Sequence, residues 1–193
     1  MTKNSNSTAS RKEKEKISPV REFDPSRIKI VAGLGNPGAT YRATYHNVGF
    51  AALDRILKEN AERWKEAKNF FYIKSGNFVF LKPNVFMNDS GEALKEALRY
   101  FKSKPENMLL IHDDSDLEIG KYKIEFGRGA AGHKGIASAI NRLKTKDFWR
   151  ARIGVRSGRG KAGDFILKNM NREDEKILSS TFEDVGRILF PNG

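Results

Sequence analysis

The chain has 193 residues, of which 38% are hydrophobic and 31% charged, with no cysteine, three histidines and a formal net charge of +12. The length suits one domain of roughly 150 residues plus an extension, and the composition suits a soluble folded protein. No disulfide or thiolate zinc site is available, three histidines disfavour a His-based metal cluster, and no apolar run approaches the ~20 residues that span a bilayer.

Residues 1–27 carry seven Lys/Arg and four Asp/Glu, which leaves +9 of the charge on residues 28–193. A basic folded part suits a polyanionic partner, because displaced counterions reward phosphate contacts. A solvated basic surface is the plainer alternative. Residues 1–26 are Lys, Glu, Ser and Asn with scarcely any large apolar group, so they are expected to form a disordered basic, polar tail. That opening has the basic, Ser-rich look of a transit segment, but Glu13 and Glu15 oppose it, and the expected compartment is the cytoplasm.

From Ile28 the pattern changes. IKIVAGL predicts a buried strand closed by the turn residues Asn36, Pro37 and Gly38. Gly33, Gly35 and Gly38 have the G-x-G-x-x-G spacing of a dinucleotide loop. The fit is poor: Pro37 precedes the last glycine, helical spacing starts only near His46, and no acidic residue closes a second strand about 20 positions on. A tight turn presenting Asn36 is the better reading. Val48, Ala52, Leu53, Ile56 and Leu57 then recur at helical spacing, and FFYIKSGNFVFLKP reads as two strands about a Ser-Gly-Asn turn.

Asn88 is a candidate N-cap for a helix carrying Ala93, Leu94, Ala97, Leu98 and Phe101. Met108 to His112 predicts a short buried strand ending at Asp113 and Asp114, and KYKIEF alternates like another. Ile136, Ala139, Ile140 and Leu143 mark a third helix, RARIGV a further strand, and Ile177 to Leu189 a last helix. The alternation predicts an α/β fold: a single compact domain over residues 27–193, with a mixed twisted β-sheet flanked by helices on both faces. In such sheets ligands gather beyond the carboxyl ends of the strands.

Several residues there can do chemistry. His46 taken alone reads as a structural histidine at a helix start. Asp113 and Asp114 at a strand end, however, are poorly placed for a core and well placed to fix an imidazole tautomer, leaving the other nitrogen as a base near neutral pH. The two carboxylates also suit a metal, or merely the end of a strand. In KPNVFMNDSG, Phe86 and Met87 are either core or an apolar ledge, and Asn88 either a cap or a donor to a developing oxyanion. RGAAGHKG leads to His133 and Lys134 at a helix start, where free N–H groups and the dipole favour anions, unless it is a plain turn. Arg150, Arg152 and Arg156 share one strand face and suit phosphates, or guard a strand edge.

Together these segments resemble the bacterial-type peptidyl-tRNA hydrolase family over Arg27 to Leu189. The resemblance rests on three ordered motifs: IVAGLGNPGATYRATYHNVGF, FLKPNVFMNDSG and IHDDSDLEIGKYKIEFGRGAAGHKG. It implies a compact α/β domain that cleaves the ester of peptidyl-tRNA without metal or cofactor, releasing peptide and reusable tRNA. It also implies His46 as the base activating water and Asp113 as its stabiliser. Asn36 would sense the blocked amino end of the peptidyl group. Asn88, Phe86 and Tyr41 would line the cleft for the peptide and tRNA 3′ end; from the residues themselves, Met87 is expected beside them and His133, Lys134 and Arg152 on the tRNA side.

Three departures stand out. Lys134 replaces the Asn of the family's Gly-His-Asn-Gly, where it is able to reach a phosphate. Arg128, Ala130 and Ala131 alter the loop before it, and Gly154-Val155-Arg156 replaces Gly-Ile-Gly. The chain also stops shortly after Phe190, where relatives commonly continue. The expectation is a monomeric cytoplasmic esterase. Its rival is a noncatalytic RNA-binding protein on the same fold, motivated by Lys134, the added arginines and the basic tail.

Overall fold

The computed structural model describes residues 21–58, 63–158 and 162–191. Seven strands form one sheet: β1 (Ile30–Gly33), β2 (Lys65–Glu66), β3 (Phe70–Ser75), β4 (Phe78–Pro83), β5 (Met108–Glu118), β6 (Tyr122–Phe126) and β7 (Trp149–Arg156). Their order is β2-β3-β4-β1-β5-β7-β6. The inner pairs β1–β4, β1–β5 and β5–β7 are parallel, while β2–β3, β3–β4 and β6–β7 are antiparallel. The helices are α1 (Val48–Leu57), α2 (Ser90–Tyr100), α3 (Lys134–Leu143), the short α4 (Ala162–Phe165) and α5 (Arg172–Leu189).

Period-2 alternation along the strands divides the core between the two faces of the sheet. Val31, Leu109, Ile111, Ala151 and Ile153 pack with Val48, Ala52 and Leu53 of α1 and Leu178, Phe182 and Val185 of α5. Ile30, Ala32, Leu81 and Leu110 pack with Ala93, Leu94 and Ala97 of α2 and Ile136 and Ala139 of α3. Buried on both faces, β1 reads as an unbroken apolar run. This is the expected α/β architecture.

Four local expectations change. Asn88 is not an N-cap: it lies in a 3-10 turn, Met87–Asp89, that runs directly into α2. Asp113 and Asp114 do not end their strand, because β5 continues to Glu118 past an irregularity that follows Asp114. The last helix starts five residues earlier than Ile177, where the Asn171 side chain accepts the Asp174 N–H. Residues 1–20 of the expected tail lie outside the described residues, but its end packs on the sheet. There Phe23 sits edge-on to Trp149 with ring centroids 5.0 Å apart, and Arg21 lies over the Phe126 ring. One aromatic ring supplied enough apolar surface to hold that end.

The glycines after β1 serve packing rather than a dinucleotide loop. A Cβ on Gly33 would stand 2.2 Å from the Gly49 carbonyl oxygen, and one on Gly49 would stand 2.4 Å from that of Ile111. Strand and helix backbones are therefore in direct contact, which only glycine permits. No helix opens at the glycines; two 3-10 turns, Ala39–Tyr41 and Tyr45–Asn47, precede α1. The second turn carries His46, so the same contact sets how close His46 lies to β5. Gly49→Ala is expected to lower unfolding free energy by about 2–3 kcal/mol in urea titration, through overpacking against backbone that cannot yield.

Candidate active site

Beyond the carboxyl ends of the parallel strands lies a cleft of about 490 Å³, lined among others by Asn36, His46, Phe86, Met87, Asn88, Asp113, His133 and Lys134. They come from several elements: Asn36 and His46 from the connection between β1 and α1, Phe86 to Asn88 from that after β4, Asp113 from β5, and His133 and Lys134 from the start of α3. The backbone N–H of His46 donates to the Ile166 carbonyl at 2.9 Å, which pins its turn to the segment after α4.

Asp113 is the centre of the site. Its Oδ1 lies 2.9 Å from His46 Nδ1 and 3.0 Å from His133 Nε2. Burial pushes the carboxyl pKa up, but the two facing imidazoles, His133 first and then His46, outweigh it and hold the group well below the usual carboxylate range. An ionised carboxylate only accepts, so both facing imidazole nitrogens carry hydrogen. His46 then keeps its lone pair on Nε2, which no hydrogen bond occupies among the described residues. That is the arrangement of a base ready to take a proton from water.

His133 is fixed from its other side too. Its Nδ1 accepts the N–H groups of Gly135 and Ile136 at 3.1 and 3.3 Å, capping α3. The helix-start N–H groups expected to attract an anion are thus taken by the protein's own imidazole. His46, Asp113 and His133 offer ligand atoms within 4.8 Å of one another, which is the spacing of a metal site. A metal would need the lone pair of His133 Nε2, and the cap places the hydrogen there, so the donor set fits a metal poorly.

Asn36 is equally constrained. Asn47, buried beside it, accepts the Asn36 N–H through Oδ1 and donates Nδ2–H to the Asn36 carbonyl, both at 2.9 Å. The Met87 N–H donates to Asn36 Oδ1 at 2.8 Å, which identifies the oxygen end of that amide and leaves Nδ2 as the donor. Asn88 is exposed, and its amide reaches the neighbouring Asp89 at 3.3 Å. Phe86 is 54% exposed at the cleft rim, with Tyr41 edge-on to it at 6.2 Å.

The three arginines expected to grip phosphates are engaged within the protein. Arg150 is 2% exposed and donates to the Gly129 carbonyl at 2.9 Å. Arg152 lies between Asp114 and Glu125, and Arg156 donates to the Ser115 carbonyl at 2.6 Å. The face was read correctly from the strand period, but the carboxylates on the adjoining strands were not. Lys134 by contrast enters no ion pair among the described residues, although it too lines the cleft.

Sequence reasoning missed the Asn47 clamp, the Glu125 partner of Arg152, and the attachment of His133 to Asp113. Only Asn47 had a signal, as a polar residue directly after His46 that the helix did not need as a side-chain cap.

Fold and site together define an α/β protein with a carboxylate-held imidazole in a strand-end cleft. A model of the family described as peptidyl-tRNA hydrolase matches residues 30–189. The chain is 37% identical over 172 residues to the peptidyl-tRNA hydrolase of Lactobacillus johnsonii, covering 84% of this chain and 91% of that one. It is 38% identical over 162 residues to that of Caldanaerobacter subterraneus, covering 80% and 86%. The crystal structure of peptidyl-tRNA hydrolase from Acinetobacter baumannii superposes with a TM-score of 0.73 at 22% identity over 88% of this chain and 92% of that chain, a likeness of fold. The chain belongs to the peptidyl-tRNA hydrolase family.

His112, at the cleft floor, donates Nδ1–H to the Asp113 carbonyl at 2.7 Å. Burial, and then the nearby His133, push its pKa well below the ordinary 6.5, with Arg150 adding to the shift and Asp113 opposing it. Unfolded chain takes up a proton below about pH 6.5 and the folded state does not, so stability falls as pH drops below that point, by about 1.4 kcal/mol per unit. Urea titrations at pH 7 and pH 5 are expected to show this loss in the wild type and a slope shallower by that amount in His112→Asn. Asp113 contributes only below about pH 4, outside that window.

Proposed function

We propose that this protein hydrolyses the ester between a peptide and the 3′ ribose of tRNA, with His46 as general base. The observation that carries the reading is His46 Nδ1 held on ionised Asp113 at 2.9 Å, with Nε2 left to the cleft. An ester already has a workable leaving group, so a positioned water, a base and amide donors suffice. Water loses its proton to His46 Nε2 and attacks the ester carbonyl. Charge develops on the carbonyl oxygen, where Asn88 serves as donor. The proton then passes to the departing ribose oxygen.

Asn36 supports the choice of a blocked substrate. Its Nδ2 donor suits the carbonyl of an N-acylated residue, whereas a free α-ammonium would set N–H against N–H. Phe86, Met87 and Tyr41 offer the apolar ledge for the peptide. Lys134 is proposed for the tRNA side, as a cleft cation with no ion pair among the described residues, where Arg150 and Arg152 are engaged internally. The reading needs no metal, since the donor set opposes one, and one chain supplies every group in the cleft, which suits a monomer. The activity belongs where peptidyl-tRNA is made, in the translating compartment. No helix among the described residues is long and apolar enough to cross a membrane.

Incubation with N-acetyl-aminoacyl-tRNA and with unblocked aminoacyl-tRNA tests the reading: the blocked ester is cleaved and the unblocked one spared. Salt-dependent binding of tRNA without turnover would replace it with the RNA-binding alternative. His46→Ala is expected to lose about 10²–10⁴ in kcat while remaining folded, with a lowered melting temperature because the buried Asp113 loses one of its donors. Lys134→Ala is expected to raise KM several-fold at low salt with kcat held, and to reduce the salt slope of KM by about one ion.

A further inference from the structure

We infer that His133 is a positioning residue for the reaction: it holds the Asp113 carboxylate that holds His46, and it does not grip tRNA. The inference rests on the general-base reading above and adds a third member to the pair.

The geometry leaves His133 no other assignment. Its side chain is 7% exposed, and both ring nitrogens are engaged by the protein. Nδ1 accepts two helix-start N–H groups, which requires a neutral ring with its lone pair there and its hydrogen on Nε2. That hydrogen points at Asp113 Oδ1, the same oxygen that receives His46 Nδ1–H. The helix cap is therefore a tautomer lock. Capping is commonly done by Ser, Thr, Asp or Asn, none of which has a second donor at this reach. A histidine caps α3 and presents a rigid N–H to the carboxylate in one side chain.

Two consequences follow. The carboxylate is held at one oxygen from two directions, which limits its rotation and fixes the His46 ring plane for attack. The His133 donor also competes with His46 for that oxygen, so Asp113 draws less strongly on a proton carried by His46. The other charged and titratable groups around this set are His112, edge-on to His133 at 4.7 Å, the Arg152 pair with Asp114 and Glu125, Arg150 beneath, and Lys134 at the start of α3. The ring centroids of His46 and His133 are 5.0 Å apart.

Two substitutions separate the two tasks of this ring. The Asn side chain places an acceptor near the position of Nδ1 and nothing at Nε2, so His133→Asn keeps the cap and removes the donor. The Gln side chain reaches as far as Nε2 with an amide N–H, so His133→Gln restores the donor and sacrifices the cap. For N-acetyl-aminoacyl-tRNA hydrolysis, His133→Asn is expected to lower kcat about tenfold with KM unchanged, and to move the acidic limb of the rate profile up by about one pH unit. His133→Gln is expected to bring the limb back toward the wild-type position while melting at a lower temperature. In the ligand-free wild type, imidazole 15N NMR is expected to show a pyridine-type Nδ1 and a protonated Nε2 for His133.

A protonated Nδ1, or a His133→Asn enzyme with raised KM, unchanged kcat and an unmoved limb, overturns this inference and leaves the esterase reading intact. A wild-type protein that fails to cleave the blocked ester overturns both, and that control alone distinguishes the two failures.

Discussion

One buried carboxylate organises the catalytic end of this molecule. Asp113 sits on the long central strand β5 with 5% of its side chain exposed, and an anion at that depth is costly unless its lone pairs are met. Two imidazoles meet one of its oxygens, Oδ1, one from the turn before α1 and one from the start of α3. The two helices lie on opposite faces of the sheet, so the anion ties both layers to the strand at the cleft. Removing either ring leaves a buried charge short of a donor, which is why the site and the local fold are hard to separate by a single truncation.

That arrangement demands backbone contact elsewhere. His46 reaches β5 because α1 starts against the end of β1, with Gly33 and Gly49 facing each other at a distance that admits no side chain. A glycine spacing that resembles a nucleotide loop is here the condition for a histidine to reach an aspartate. The same economy holds at Asn36, whose backbone is clamped by Asn47 and whose side chain is turned by the Met87 N–H. The connections after β1 and β4 are thereby locked to one another before any substrate arrives.

The sheet, the helices and their order were legible because strand and helix periods repeat over many residues and survive local exceptions. Asn36, His46 and Asp113 were legible as a set through their places at strand ends and through the family motifs. Pairings across the sheet were not. Arg152 reads as a phosphate ligand from β7 alone, and only the register that sets it opposite His112 and Lys123, with Asp114 and Glu125 nearby, turns it inward. The end of the tail was misread for a related cause: one Phe in a polar run carries no period, and its partner Trp149 is more than a hundred residues away.

The internal use of arginine bears on how a basic protein meets RNA. A net charge of +12 invites the view that each cation near the cleft is a phosphate contact. Arg150 and Arg152 instead support the sheet edge beside the anion cluster of Asp114 and Glu125, where a planar guanidinium can satisfy two carboxylates at once. The cation left to the cleft stands in the first turn of α3, which carries no acidic residue and whose dipole repels it by some tenths of a kcal/mol. A residue that costs the fold and lines the cleft is not explained by packing. Among the described residues the positive charge open to this cleft therefore lies on Lys134, while Arg150 and Arg152 are tied to the Gly129 carbonyl and to Asp114 and Glu125.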